Sequence, residues 1–386
     1  MRIIHVIQTL DPAHGGPPIT AVRLASAQAS LGHEVHILSY IHDSEANIQA
    51  SLRGIPGIGG IELSFLARPG ISERVFGRNV KKSIASLFPG AHIVHLHGVW
   101  DTIIRVAANG ARHLGIPYFL APHGMLDPWS MGQKALKKKI ALAVFYQRII
   151  NNACCLHVLN DTEAELLKPL RTKVAGRIIP NGIFLEEIDH GSMECSDILD
   201  RFALNGLPFI LFLSRLHYKK GLDLLADSFA LLCKSNLDVH LVVAGPDCGV
   251  KATFESLVSR YGLTSRVHLV GPVYGASKYA LLRSASCFCL PSRQEGFSIA
   301  VLEALACSVP VVISEHCHFP EVGLNGAGLV TPLDVEQVAG ALKRVMGDKQ
   351  LREGMGKAGR RLVEKNYSWT RIAERCVASY MDFLPH

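Results

Sequence analysis

The chain has 386 residues, 48% of them hydrophobic and 19% charged, with a formal net charge of +7. That composition excludes a disordered chain, and the length fits two domains better than one core. The positive balance is too mild to mark a nucleic-acid-binding protein, and none is expected as a partner.

The longest apolar runs, such as residues 209–213, are strand-sized and far short of the ~20 residues that span a bilayer. Met1 leads straight into strand-like sequence without the basic start and cleavage site of a signal peptide, so a cytoplasmic protein is expected. The ten cysteines show no C-x-x-C pair and read as buried small hydrophobes. Among the eighteen histidines, His316-Cys-His318 comes nearest to a metal cluster, but it is a poor ligand set, and no metal site is expected.

Short β-branched apolar runs alternate with helical patterns, the signal for parallel sheets built from βαβ units. In the first half the strand candidates are 3–10, 35–40, 93–97, 117–121, 156–159 and 177–180. In the second half they are 209–214, 239–244, 267–270, 287–290, 309–313 and 328–330. Six strands in each half predict an α/β protein with two Rossmann-like, doubly wound parallel-sheet domains facing a cleft. The boundaries are set at 1–186 and 187–366, with a hinge near 183–207. Gly57-Ile-Gly-Gly60 follows no clear strand and reads as a flexible loop. Ser368 is a plausible N-cap for a last helix within 367–386.

Chemistry concentrates at the predicted strand ends. His14-Gly15-Gly16-Pro-Pro follows the first strand, and glycines without side chains let backbone approach a diphosphate. His95-Leu-His97-Gly-Val-Trp-Asp101 and Ala121-Pro-His123-Gly follow two further strands. His97 and Asp101 are candidates for contacting an acceptor. In the second half, Ser214-Arg215-Leu-His-Tyr-Lys-Lys220-Gly221 places two cations where ligands bind in open α/β sheets, suited to neutralising a diphosphate. Gly245 and Pro272 close the next two strands. The window Glu295-Gly296-Phe297-Ser298-Ile-Ala-Val-Leu-Glu303 puts two carboxylates around a helix start whose N–H groups attract anions. Carboxylates accept hydrogen bonds from sugar hydroxyls, so a ligand carrying both phosphate and sugar fits.

That window resembles the E-x7-E motif of retaining GT4-family glycosyltransferases with the GT-B fold, of the bacterial polysaccharide-biosynthesis type. The resemblance extends to the glycine-glycine loop, to Arg-Leu followed by Lys-Gly, and to Leu31-Gly-His-Glu-Val35. Ser214 stands where the family usually has glycine. It implies that Glu295 contacts the donor sugar and Glu303 the nucleotide ribose. It also implies that His123 reaches the donor sugar across the cleft, that the region of Gly245 and Pro272 lies by the base, and that the last helix crosses back onto the first domain.

The expected activity is metal-independent hexosyl transfer from a nucleotide sugar, UDP-glucose first and GDP-mannose next, to a saccharide or lipid-linked acceptor. A nucleotide-sugar 2-epimerase and a non-catalytic nucleotide-sugar binder are the alternatives. The segment 134–148 carries four lysines and an apolar stripe at helical spacing. It suits peripheral contact with the inner face of the cell membrane. The simpler expectation is that its apolar side packs on its own domain.

Overall fold

The computed structural model describes residues 1–11, 14–41, 45–133, 135–170, 172–189, 197–235 and 237–384. The chain divides into two compact units, Met1–Gly182 joined by the segment from Trp369 onward, and Ile183–Ser368. Part of the expected hinge, residues 190–196, lies outside the described residues.

The first unit holds seven parallel strands: β1 (Arg2–Thr9), β2 (Glu34–Tyr40), β3 (Ile61–Leu66), β4 (Ile93–His97), β5 (Tyr118–Ala121), β6 (Cys155–Val158) and β7 (Gly176–Ile178). Their order is β3-β2-β1-β4-β5-β6-β7. The sequence reading lacks β3. Gly57–Gly60 is a tight turn feeding this edge strand, which pairs with β2 from Ile61 to Leu66. Only Ile61 and Leu66 of β3 are buried, so its pattern is too weak to stand out in sequence.

Alternation along each strand gives the sheet two different faces. Ile4 and Val6 of β1 and Val94 and Leu96 of β4 point into one apolar core. The opposite face carries His5, His95, His97 and His157, all buried. The helices Gly16–Ser30 and Trp369–Met381 cover that face, placing Gln28 and Tyr380 over the imidazoles.

The second unit holds six parallel strands: β8 (Phe209–Leu213), β9 (His240–Ala244), β10 (Val267–Gly271), β11 (Cys287–Leu290), β12 (Val311–Ser314) and β13 (Gly328–Thr331). They are ordered β10-β9-β8-β11-β12-β13 around one continuous apolar core. In each sheet the winding reverses beside the first strand, between β1 and β4 and between β8 and β11. Loops leaving those strand ends diverge, and the crevice between them is where such sheets bind ligands.

The lysine-rich segment departs from expectation. It forms a helix Ala135–Ala141, one π-helical turn Leu142–Tyr146, and a helix Gln147–Asn152. The wide turn shifts the buried face to Tyr146, Ile149 and Ile150. Leu136, Ile140 and Val144 of the expected stripe are exposed, contrary to the simpler expectation that they pack on their own domain, and Phe145 is exposed beside them. Lys134 lies outside the described residues.

No described helix is long and apolar enough to cross a membrane. Nine cysteines among the described residues are free thiols; Cys248 is exposed, contrary to the reading of all of them as buried.

Candidate active site

In the second unit, three loops are locked together by backbone contact. Gly221 adopts φ +69°, and a Cβ there would sit 1.9 Å from the Pro291 carbonyl oxygen. Gly245 adopts φ +143°, and its Cβ would sit 1.9 Å from the Ser214 carbonyl oxygen. Only glycine permits both the conformation and the approach. Gly245 therefore joins the loops after β8 and β9, a packing role that a simple turn does not convey. The loop after β11 is tied in by the Ser292 hydroxyl, which donates to Lys219 O at 2.8 Å. Arg293 adds a bidentate pair to Asp223, at 2.7 and 2.8 Å, and its guanidinium lies 4.2 Å from the centre of the Tyr218 ring. Burial pushes the Asp223 carboxyl up, but the hydrogen bonds and charge of Arg293 outweigh it and hold the group below its ordinary range.

On this scaffold Lys220 Nζ meets Glu295 Oε1 at 2.5 Å, with both side chains mostly buried. Glu303, in the second turn of the helix Ile299–Ala306, meets Lys278 Nζ at 2.5 Å. Lys278 is a site residue that sequence reading missed. It comes from the separate helix Gly275–Ser284 and carries no local motif.

Arg215 is exposed on the β8 loop, and the structure shows no contact between it and either carboxylate. Gly296 is exposed with open space around it, whereas Phe297 turns into an aromatic cluster with Phe319, ring centres 5.6 Å apart. Ser298 is buried at the helix start. Pro272 follows β10, the edge strand, and is exposed two strands from β8. Cys317 of the His316–His318 group is turned inward toward Leu290 O, so the three do not form a ligand set.

In the first unit, Gly15 (φ +100°) caps the helix Gly16–Ser30, the first helix after β1. His123 follows β5 in a left-handed conformation, φ +52°, rare for a residue with a side chain and common at functional sites. Glu163 braces this turn, accepting from Gly124 N at 2.8 Å and Leu159 N at 2.7 Å. Burial raises the Glu163 carboxyl above its usual range despite those bonds.

His97, expected from sequence to contact an acceptor, is instead buried. The strand parity of β4 turns it to the covered face, where its ring bonds His5 at 2.8 Å and His123 at 3.0 Å. Asp101 is better placed, lining a cavity of about 340 Å³ with Gln8, Tyr40 and Arg74 at the ends of β1, β2 and β4. Burial pushes its carboxyl up to about 6. Beside it, sharing Arg74, Trp100 and Thr102, opens a larger groove of about 710 Å³, apolar and edged by Arg105 and Lys138.

Desolvation lowers the buried His5 and His157 to about 4 and the half-buried His123 to about 3, so these imidazoles are neutral near pH 7. His5, His95 and His97 bring ring nitrogens within 4.8 Å of one another, a spacing a cation could bridge. Hydrogen bonds within the group occupy those nitrogens instead.

Comparison with known proteins bears on both units. Residues 15–182 match the "Glycosyl transferase 4-like domain", and residues 200–362 match "Glycosyl transferases group 1". The chain is 28% identical to the D-inositol 3-phosphate glycosyltransferase of Jonesia denitrificans, over 98% of this chain and 95% of that one. A 129-residue stretch is 36% identical to the MMP alpha-(1->4)-mannosyltransferase of Mycolicibacterium hassiacum, covering 33% of this chain and 31% of that one. Anabaena HepE, solved in complex with UDP-glucose, superposes with a TM-score of 0.74 at 17% identity, over 99% of this chain and 100% of the other. Two matched domains over most of the chain, on two doubly wound sheets, have one meaning: this protein belongs to the GT4-type glycosyltransferases of the GT-B fold.

Proposed function

We propose that the protein is a retaining hexosyltransferase using a nucleotide diphosphate sugar, UDP-glucose by preference and GDP-mannose next. The observation that carries this reading is the Lys220–Glu295 pair at the β8/β11 reversal. An ammonium has three N–H donors, so Lys220 can hold Glu295 and still face a diphosphate. Glu295 then offers carboxylate oxygens to sugar hydroxyls, and Glu303, oriented by Lys278, offers the same to a ribose. Arg215, free of carboxylate contact, adds a second cation for the leaving group, and His123 contacts the transferred sugar. The UDP-glucose complex of HepE supports the choice of donor.

In the proposed step the bond between the anomeric carbon and the diphosphate oxygen breaks, and the nucleoside diphosphate leaves with the electron pair. The acceptor oxygen attacks on the same face, and its proton passes to the departing phosphate oxygen. Preorganised cations stabilise the charge that develops there, so no divalent ion is required on this reading. Asp101 lines the acceptor cavity.

The exposed Leu136, Ile140, Val144 and Phe145 beside the cation-edged groove favour a lipid-linked acceptor met at an anionic membrane surface. Flotation with anionic vesicles tests that part, and Ile140→Glu is expected to abolish it.

The deciding experiment incubates the protein with UDP-glucose or GDP-mannose and candidate acceptors, with and without EDTA. NMR then reads the anomeric configuration of any product. Retained configuration without metal supports the proposal. A sugar epimerised without acceptor would favour the 2-epimerase, and tight donor binding without any turnover would favour a silent binder.

A further inference from the structure

Seven hydrogen bonds link four buried imidazoles of the first unit and the half-buried His123 into one file. His123 Nε2 lies 3.0 Å from His97 Nδ1, and His97 Nε2 lies 2.8 Å from His5 Nδ1. His5 Nε2 meets Gln28 Oε1 at 2.7 Å, and Gln28 Nε2 donates to the Tyr380 hydroxyl at 3.1 Å. That hydroxyl is 2.5 Å from His95 Nδ1, His95 Nε2 is 3.1 Å from His157 Nδ1, and His157 Nε2 is 2.6 Å from the carbonyl oxygen of Ile179.

The direction of every bond follows from the last atom. A carbonyl oxygen only accepts, so His157 donates from Nε2, and a neutral imidazole then has a bare Nδ1. That Nδ1 accepts from His95 Nε2–H, which leaves His95 Nδ1 bare to accept from Tyr380. The tyrosine accepts in turn from the Gln28 amide, whose oxygen must take the proton of His5 Nε2–H. By the same alternation His97 and His123 are Nε2–H tautomers. No described group bonds the Nδ1 of His123, which stands at the end of the file.

We infer that Ile179, His157, His95, Tyr380, Gln28, His5 and His97 are positioning residues that fix His123 as an obligate hydrogen-bond acceptor through Nδ1. The ligand group this selects is a hydroxyl that can donate, as a sugar hydroxyl does. The imidazole planes stack, His95 on His97 at 4.5 Å and His97 on His123 at 5.3 Å between ring centres, so the rings cannot reorient singly. Desolvation keeps the file neutral, and a proton added to one ring would in addition face its stacked neighbours.

Gln28 is the one member that can reverse the outer half. Were its amide to flip, NH2 would donate to His5 Nε2, and the tautomers of His5, His97 and His123 would all invert. His123 would then present an N–H and repel a donor. Tyr380, on the C-terminal helix, holds the amide in place. The inference rests on the transferase reading only for the identity of the hydroxyl.

The test is long-range proton–nitrogen correlation NMR on protein with 15N-labelled histidines at pH 7, without substrate. The His123 signals are assigned by their loss in His123→Asn. The expected pattern is Nε2–H with bare Nδ1 at His123, His97, His5, His95 and His157. A Nδ1–H His123, or an imidazolium there, overturns the inference. Tyr380→Phe is expected to populate Nδ1–H at His123 and to lower turnover about tenfold, the scale of one misdirected hydrogen bond. If that variant does not fold, Gln28→Met removes the pivot at similar volume and should give the same tautomer change. An unchanged His123 spectrum in a folded variant overturns the relay. Because the tautomer is read without substrate, a failed transfer assay leaves this result standing.

Discussion

Lys220 and Glu295 are 75 residues apart in sequence and 2.5 Å apart in space. The contact exists because Gly221 lets the β8 loop press against Pro291 of the β11 loop. The pair is shielded from water, so each charge depends on the other. Lys220→Ala is expected to cost about 3 kcal/mol of stability, because it strands a buried carboxylate. It should also lower turnover by about 10^2-fold through loss of a preorganised cation. Glu295→Gln, whose amide oxygen can still accept from Lys220, should cost less stability than Lys220→Ala while still lowering turnover. Urea melts and steady-state kinetics on both variants separate the two roles; normal turnover in Lys220→Ala would confine the lysine to folding.

Glu303 and Lys278 make the companion pair at 2.5 Å. Glu303→Ala should weaken UDP binding about tenfold, the scale of a lost hydrogen bond to ribose. Lys278→Ala should weaken it less, acting only through the orientation of Glu303. Titration calorimetry with UDP measures both. Equal affinity in Glu303→Ala and the unaltered protein would move the ribose elsewhere.

Asp101 has its carboxyl pushed up from 3.8 to about 6 by burial. A raised carboxyl favours the folded state fully below pH 3.8, and that advantage is lost as pH rises through about 6. Asp101→Asn should therefore be more stable than the unaltered protein at pH 8, by up to about 2–3 kcal/mol, and equal to it near pH 3. Thermal melts across that range give the difference. A constant offset at all pH values would mean that Asp101 acts through shape alone.

The imidazole file makes the opposite demand. The folded values for His5, His157 and His123 lie near 4, 4 and 3, against 6.5 when free of burial. His95 and His97 lie well below 6.5 as well. Between pH 6.5 and 4 the unfolded chain binds more protons than the folded one, so acidification through this window destabilises the first unit. Each proton contributes about 1.4 kcal/mol per pH unit, with up to about five taken up on unfolding. Hydrogen exchange of the β1 and β4 amides at pH 7 and pH 5 reports it locally. Protection independent of pH would mean that the rings are hydrated.

The glutamates were legible because Glu295 and Glu303 share one loop-helix window, and Lys220 because it ends a strand-loop pattern. Lys278 was not, since a lone lysine on a surface helix has no local signature. The histidines of β1, β4 and β6 alternate with apolar residues, and that period of two was the available clue to a polar face. The sequence reading takes His97 and His123 singly, as substrate contacts, and does not connect them with His5, His95 and His157. Phe297 and His97 belong to segments with the right spacing for a site, yet their side chains face the core.

Local sequence alone determined the αβ alternation, the parallel sheets, and the strand ends at which sheets of this kind bind ligands. Periodicity and turn residues act over a few positions, and they are readable there. Tertiary structure decided which charges meet, which face of a strand a histidine takes, and how a C-terminal tyrosine orients an amide 352 residues away. Those outcomes depend on the packing of distant segments, and no short stretch of chain encodes them.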